Sequence, residues 1–238
     1  MINNTTILLK VKLRLNKIAS NDNINLESWQ IVEAFNKFQY EWCRRNAHGE
    51  NTMHEGDEQS ISRIDDLQRL IVDPIIPTFT DKGIFFQSDV TEWPADYMRF
   101  KGLDLNAVNS CCDKPKRMTV YLGDEADVDV YLDDPNIRPD YAWGETFITI
   151  TGDKLNLYHN NEFTISDCGF RYYRQPRRIQ IAGVMDPYTG IIPIADVTCE
   201  FNDDLAELLA NGAAEILAGD IENFNQVNRL EKGVEKNN

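Results

Sequence analysis

FITITGDKLNLY, residues 147–158, is the stretch on which the fold reading turns. Phe147, Thr149 and Thr151 share one face of a first arm, Gly152–Asp153 supply a two-residue turn, and Leu155 and Leu157 line a second arm. Period-two alternation on both sides of a Gly-containing turn predicts a β-hairpin. The same texture of short β-rich runs between Gly, Pro and Asp extends on either side. It predicts strands over 75–80, 83–87, 98–103, 117–122, 128–132, 145–151, 154–158, 170–174 and 178–181. Many short strands at close spacing point to a sandwich or barrel.

The flanks read as helix. Ile31, Ala34, Phe35, Phe38 and Trp42 recur at helical spacing in a Gly- and Pro-free run from Glu27 to Arg45, with Arg44 and Arg45 suited to the negative end of the helix dipole. Ile61, Ile64, Leu67 and Ile71 form a second stripe, which Pro74 ends. Leu205, Leu208, Leu209, Ala213, Ile216 and Leu217 form a third behind the acidic start Asp203–Asp204, and Ile221, Phe224, Val227 and Leu230 extend it. Residues 7–15 alternate Ile7, Leu9, Val11, Leu13 and Leu15 with Lys10, Lys12 and Arg14, a pattern open to strand or helix. The expected fold is α+β: N- and C-terminal helices form a helical bundle (1–74 and 200–238), with a β-rich sandwich or barrel inserted at 75–199.

The chain of 238 residues is 42% hydrophobic, enough for a sizeable core, and carries a net charge of −15. Such a surplus of acid disfavours phosphate and anionic lipid, whose binding needs basic patches. The first residues lack a basic start with an apolar run, so no secretory signal is expected, and no apolar stretch approaches the roughly 18 residues of a membrane span. Five irregularly spaced cysteines (Cys43, Cys111, Cys112, Cys168 and Cys199) suggest free thiols in a reducing compartment.

Motifs for chemistry are sparse. His48 and His54 lie in a polar loop without a ligand spacing that fits zinc, and adjacent Cys111–Cys112 lack the CxxC interval. The acids between Asp124 and Asp134 miss the calcium-loop pattern and read as the wet face of a strand, with Val128, Val130 and Leu132 inward. No phosphate-binding glycine loop or nucleophile elbow occurs. No catalytic residue, metal or cofactor is therefore expected. The local positive feature is Arg171, Arg174, Arg177 and Arg178 interleaved with Phe170, Tyr172 and Tyr173; in so acidic a chain it reads as a protein interface. Arg171, Tyr173, Arg174, Arg177 and Arg178 are the candidate contact residues, joined by Ile221, Phe224 and Leu230 of the C-terminal segment.

Seven phrases, in order, carry a family resemblance: LRLNKIAS (13–20), WQIVEAFNKFQYEWCRRN (29–46), GDEQSISRIDDLQRLI (56–71), EWPADYMRF (92–100), WGETFITITGDKLNLY (143–158), FRYYRQPRRIQIAG (170–183) and LANGAAEILAGDIENFNQ (209–226). Together the chain resembles a virion structural protein of crAss-like phages, similar to the head–tail connectors, or portal adaptors, of short-tailed phages. The resemblance implies a non-enzymatic subunit in a ring, a dodecamer, at the head–tail junction, assembled in the host cytoplasm. Its implied partners are further copies of itself, the portal and other tail proteins, with DNA as passing cargo through an acidic channel. The alternative is a tail-associated carbohydrate- or receptor-binding module, for which Trp93, Tyr141, Trp143, Tyr158, Tyr172 and Tyr173 would form a platform. A sugar hydrolase is a third reading; it requires two carboxylates about 5–10 Å apart in a cleft.

Overall fold

A computed structural model describes residues 2–16, 26–47, 65–89, 93–109 and 112–220. In chain order they form α1 (Asn4–Asn16), α2 (Ser28–Ala47), β1 (Phe79–Asp81), β2 (Phe85–Ser88), β3 (Tyr97–Asn109), β4 (Cys112–Leu122), α3 (Val128–Asp133), β5 (Glu145–Thr151), β6 (Lys154–Tyr158), β7 (Thr164–Arg174) and α4 (Asp203–Asp220). The chain divides into two compact units, Ile71–Arg174 and Met1–Leu70 with Gln175–Asn238.

The first unit is a seven-stranded sheet of order β1-β2-β6-β5-β4-β3-β7. All neighbours run antiparallel except β4 and β5, which are parallel. A parallel step needs a crossover of a dozen or more residues, and here it runs through α3. The hairpin at 147–158 forms as its sequence predicts: Thr151 pairs with Lys154, and Gly152 takes a φ of 61° at the first turn position, where glycine avoids the Cβ penalty. Alternate residues Leu103, Leu105 and Ala107 of β3 meet Cys168, Phe170 and Tyr172 of β7 and Leu155 and Leu157 of β6 in one core. On the other face Phe147 stacks on Tyr158 at 4.5 Å and meets the edge of Tyr131 from α3 at 5.3 Å. Thus β5 is buried on both faces over 146–149. Register shifts at three places along β3 and β7 mark bulges, which bend strands and sharpen their twist.

The second unit holds α1, α2, α4 and the largely non-helical segment 175–202. In α1, Ile7, Val11 and Leu15 are buried at i, i+4 and i+8, while Leu9 and Leu13 are exposed. The alternation at 7–15 is thereby resolved as helix, because only every fourth position, Ile7, Val11 and Leu15, finds a core. In α2 the whole expected stripe is buried, together with Val32, Asn36, Gln39 and Cys43. Ala206, Ala210, Ala213 and Ala214 give α4 a small-residue face, and Gly212 lies directly under the Phe38 ring. Trp42 meets Phe201 edge to face at 6.0 Å.

Several expectations are corrected. The fold is not a bundle of N- and C-terminal helices carrying a sandwich or barrel. It is a mixed α/β protein with a single curled sheet, about a third of it helical. The bulged β3–β7 pair curls the sheet, but β1 and β7 remain its two ends, so among the described residues neither a second sheet nor barrel closure arises. Residues 175–199, expected in the β-rich insert, belong with the helices, and 178–181 contributes a lone bridge between Gln180 and Val197. The acidic run is helical: Asp124 accepts from the Ala126 N–H at 3.1 Å to start a turn, which continues into α3. Val128, Tyr131 and Leu132 are half-buried at helical spacing, and Val130, expected inward, is exposed. The second stripe keeps a helical turn at 65–68 with Leu67 buried; Ile61 and Ile64 lie outside the described residues.

Two substitutions test this arrangement. Gly212→Ala would drive a methyl into the buried Phe38 ring and should destabilise the protein by about 1–3 kcal/mol in chemical denaturation. Trp42→Ala should cost about 3–5 kcal/mol through the cavity it leaves; an unchanged unfolding midpoint in either would contradict the α2 contacts described.

Candidate functional site: an anchored hairpin and its groove

Segment 175–202 has few main-chain partners of its own, so buried side chains supply them. Asn36, 4% exposed, acts as a surrogate strand: its Oδ1 accepts from the Ile179 N–H at 2.8 Å, and its Nδ2 donates to the Ile179 carbonyl at 3.1 Å. Gln39 Nε2 donates to the Arg177 carbonyl at 2.9 Å. Asn4, the first residue of α1, donates to the carbonyls of Gln180 and Val197 at 2.9 and 3.0 Å. The Arg177 N–H donates to Glu200 Oε1 at 2.9 Å. Buried backbone groups left without partners cost about 1–3 kcal/mol each, so these amides fix the path of the segment.

From that base the chain projects an irregular hairpin, residues 180–197. Gln180 and Val197 exchange main-chain bonds, Gly183 N–H donates to Pro193 O at 3.1 Å, and Asp186 N–H donates to Ile191 O at 3.0 Å. Gly183 and Gly190 take φ values of 78° and 69°, which glycine adopts without strain. Asp186 organises the tip. Its carboxylate accepts from the Tyr188 N–H at 3.0 Å, the Thr189 hydroxyl at 3.0 Å and the Gln180 amide at 3.1 Å, with Arg178 at 4.0 Å. Burial alone would raise its pKa, but these donors and the guanidinium outweigh it and hold the carboxyl below its ordinary value. The stiffened tip then faces solvent with apolar groups: Met185, Tyr188, Ile191, Ile192 and Ile194 are 51–99% exposed, Ile194 most of all. Five exposed apolar groups thus cluster on one hairpin of an acidic chain.

Beside the hairpin base lies a groove of about 340 Å3, lined by Asn36, Gln39, Tyr40, Gln175, Pro176, Arg178 and Tyr188. Arg178 pairs with Glu33 at 2.6 Å and lies 4.4 Å from the Tyr188 ring centre. Two buried polar atoms of the lining have no hydrogen-bond partner among the described residues: Gln39 Oε1 and Arg178 Nε.

The structure divides the predicted interface residues. Arg171, Tyr173 and Arg174 belong to the sheet unit. Arg171 is paired with Asp104 at 2.7 Å, and Lys101 sits 5.4 Å from the Tyr173 ring centre. Arg177 and Arg178 belong to the helical unit, where Arg178 lines the groove. Ile221, Phe224 and Leu230 lie outside the described residues, as do His48, His54 and Cys111. Of the aromatic platform, Tyr158 and Tyr172 are core residues at 3% exposure, while Trp143 is 74% exposed. Burial pushes the thiols of Cys168 and Cys199 up to about 12 and about 11, which keeps them protonated at neutral pH. Among the described residues no group of His, Cys, Asp or Glu is arranged to hold a metal ion, and no helix is long and apolar enough to cross a membrane. Sequence reading passed over the hairpin tip. The signal was present: Asp-Pro at 186–187 and Gly190 mark a turn, and Ile191, Ile192 and Ile194 follow it.

The Asp186 tip should be acid-sensitive. A carboxyl held lower in the folded state than in the unfolded chain contributes stability that is full above its ordinary value of 3.8 and is lost as pH falls through the folded value. Amide-exchange protection of Tyr188 and Gly190 should therefore fall selectively in wild type below about pH 3.8. In Asp186→Asn it should be weak at every pH, and equal protection in the two proteins would refute the role given to this carboxylate.

In comparisons with known proteins, no family model matches the chain and no curated protein is similar to it, so the phage resemblance rests on the quoted phrases alone.

Proposed function

We propose that the protein is a structural head–tail connector subunit of a short-tailed phage, one that joins copies of itself into a ring between portal and tail. The observation that supports this most is the hairpin at 180–197, whose exposed apolar tip stands on a base of buried amide bonds. An assembling subunit covers such apolar groups against its neighbour. The ordered phrases of the sequence supply the particular assembly. The net charge of −15 suits a wall past which DNA must slide, since acid repels phosphate. A contact between different patches, repeated by rotation, closes into a ring. The carbohydrate-binding alternative has Trp143 in its favour, while the burial of Tyr158 and Tyr172 leaves it without a continuous platform.

Electron microscopy of virions, and of the purified protein mixed with portal, should place this chain as a ring at the portal vertex, each contact burying more than about 1,000 Å2. Its presence only in tail fibres, or its absence from virions, would overturn the proposal.

A further inference from the structure

His159 follows the last residue of β6 and is buried, 3% exposed. Its ring stacks on Phe86 of β2 with centres 4.1 Å apart and packs edge to face with Phe163 at 6.3 Å. Nδ1 accepts from the Asn161 N–H at 3.1 Å, so it carries no proton, and the neutral ring holds its hydrogen on Nε2. Nε2 lies 3.5 Å from Asp81 Oδ1 and makes no hydrogen bond among the described residues.

The Nδ1 acceptor secures a costly turn. Asn160 and Asn161 take φ values of 44° and 61°, two consecutive non-glycine residues in the left-handed region. Beside them, the His159 and Asn160 N–H groups both donate to the Ile84 carbonyl, at 3.0 and 3.2 Å, and the Glu162 N–H donates to the His159 carbonyl at 2.8 Å. Ile84 belongs to the β1–β2 turn, in which Asp81 Oδ1 also accepts from the Gly83 N–H at 2.7 Å. The imidazole thus joins two turns at the β1 end of the sheet.

A further proton can enter this ring only at Nδ1. There it would set an N–H against the Asn161 N–H, remove the acceptor and place a charge in a buried site. Asp81 is the carboxylate that faces the ring and favours the charged form; Lys82 of the same turn and Glu162 of the other are exposed, and Phe86 and Phe163 bring no charge. Burial outweighs Asp81 and holds the imidazole below its ordinary value of 6.5.

We propose that His159 is a proton-operated latch: neutral, it locks the Asn160–Asn161 turn onto the β1–β2 turn, and protonated on Nδ1 it lets that turn open and uncovers Phe86 and Phe163. The open turn takes up its proton near pH 6.5 and the closed turn only below that, so opening grows as pH falls through 6.5. The latch lies in the sheet unit and does not depend on the connector reading.

The test is amide exchange by NMR on the full chain from pH 7 to pH 5.5, with rates corrected for the intrinsic effect of pH. Protection of Asn161 and Glu162 should fall about fivefold over that range in wild type. Both amides should stay less protected than the β5–β6 ladder, which marks a turn that opens while the sheet stays closed. In His159→Asn, Oδ1 can accept where Nδ1 stood and does not titrate, so protection should not change with pH. Nitrogen-15 spectra of the wild-type imidazole provide a second readout that needs no variant: at neutral pH the ring proton should sit on Nε2. A proton on Nδ1, protection in wild type that ignores pH, an equal fall in His159→Asn, or protection matching that of the ladder would each overturn the latch.

Discussion

Buried side-chain amides bear the main structural burden of the helical unit. Segment 175–202 crosses α1 and α2 without a continuous strand partner, and a buried main chain with open hydrogen-bond sites is costly. Asn4, Asn36 and Gln39 answer four of those main-chain carbonyls and one N–H. Each bond contributes about 0.5–1.5 kcal/mol net. Their larger effect is specificity: an amide pairs with a peptide group only in one register, so the amides set where the segment runs and where its hairpin emerges. The hairpin tip and the groove beside it inherit their positions from this contact.

The sheet unit obeys a different constraint. Its seven strands are tied by ladder bonds, and its shape follows from bulges in the long β3–β7 pair and from the crossover through α3. Both faces of β5 are covered, by the main core on one side and by Tyr131 and Tyr158 on the other. Most of its aromatic side chains are therefore spent on folding. Two of its arginines are similarly engaged within it: Arg117 and Arg171 both contact Asp104, at 3.1 and 2.7 Å. Of the basic stretch read in the sequence, Arg171 meets an acid on the neighbouring strand β3.

The parts of the fold legible in the sequence were those written in local periodicity. The stripe of α2 and the hairpin at 147–158 each declare themselves within a dozen or so residues, because side-chain direction repeats every 3.6 residues in a helix and every two in a strand. Periodicity failed where two periods fitted one stretch. Residues 7–15 and 124–134 both carry alternation, and both are helical. In the first, the core reaches only Ile7, Val11 and Leu15; in the second, Asp124 caps a turn, which puts Tyr131 against Phe147.

By itself, then, the sequence determined the apolar faces, the tight turn at Gly152 and an acidic surface, because these depend on neighbours a few residues away. Tertiary structure alone decided that 175–199 joins the helices, that the curled sheet stays open and that a groove forms beside an exposed hairpin. The physical reason lies in the contacts responsible. Asn36 meets Ile179 across 143 residues and Asn4 meets Val197 across 193, and an asparagine reads the same in sequence whether it faces water or stands in for a missing strand.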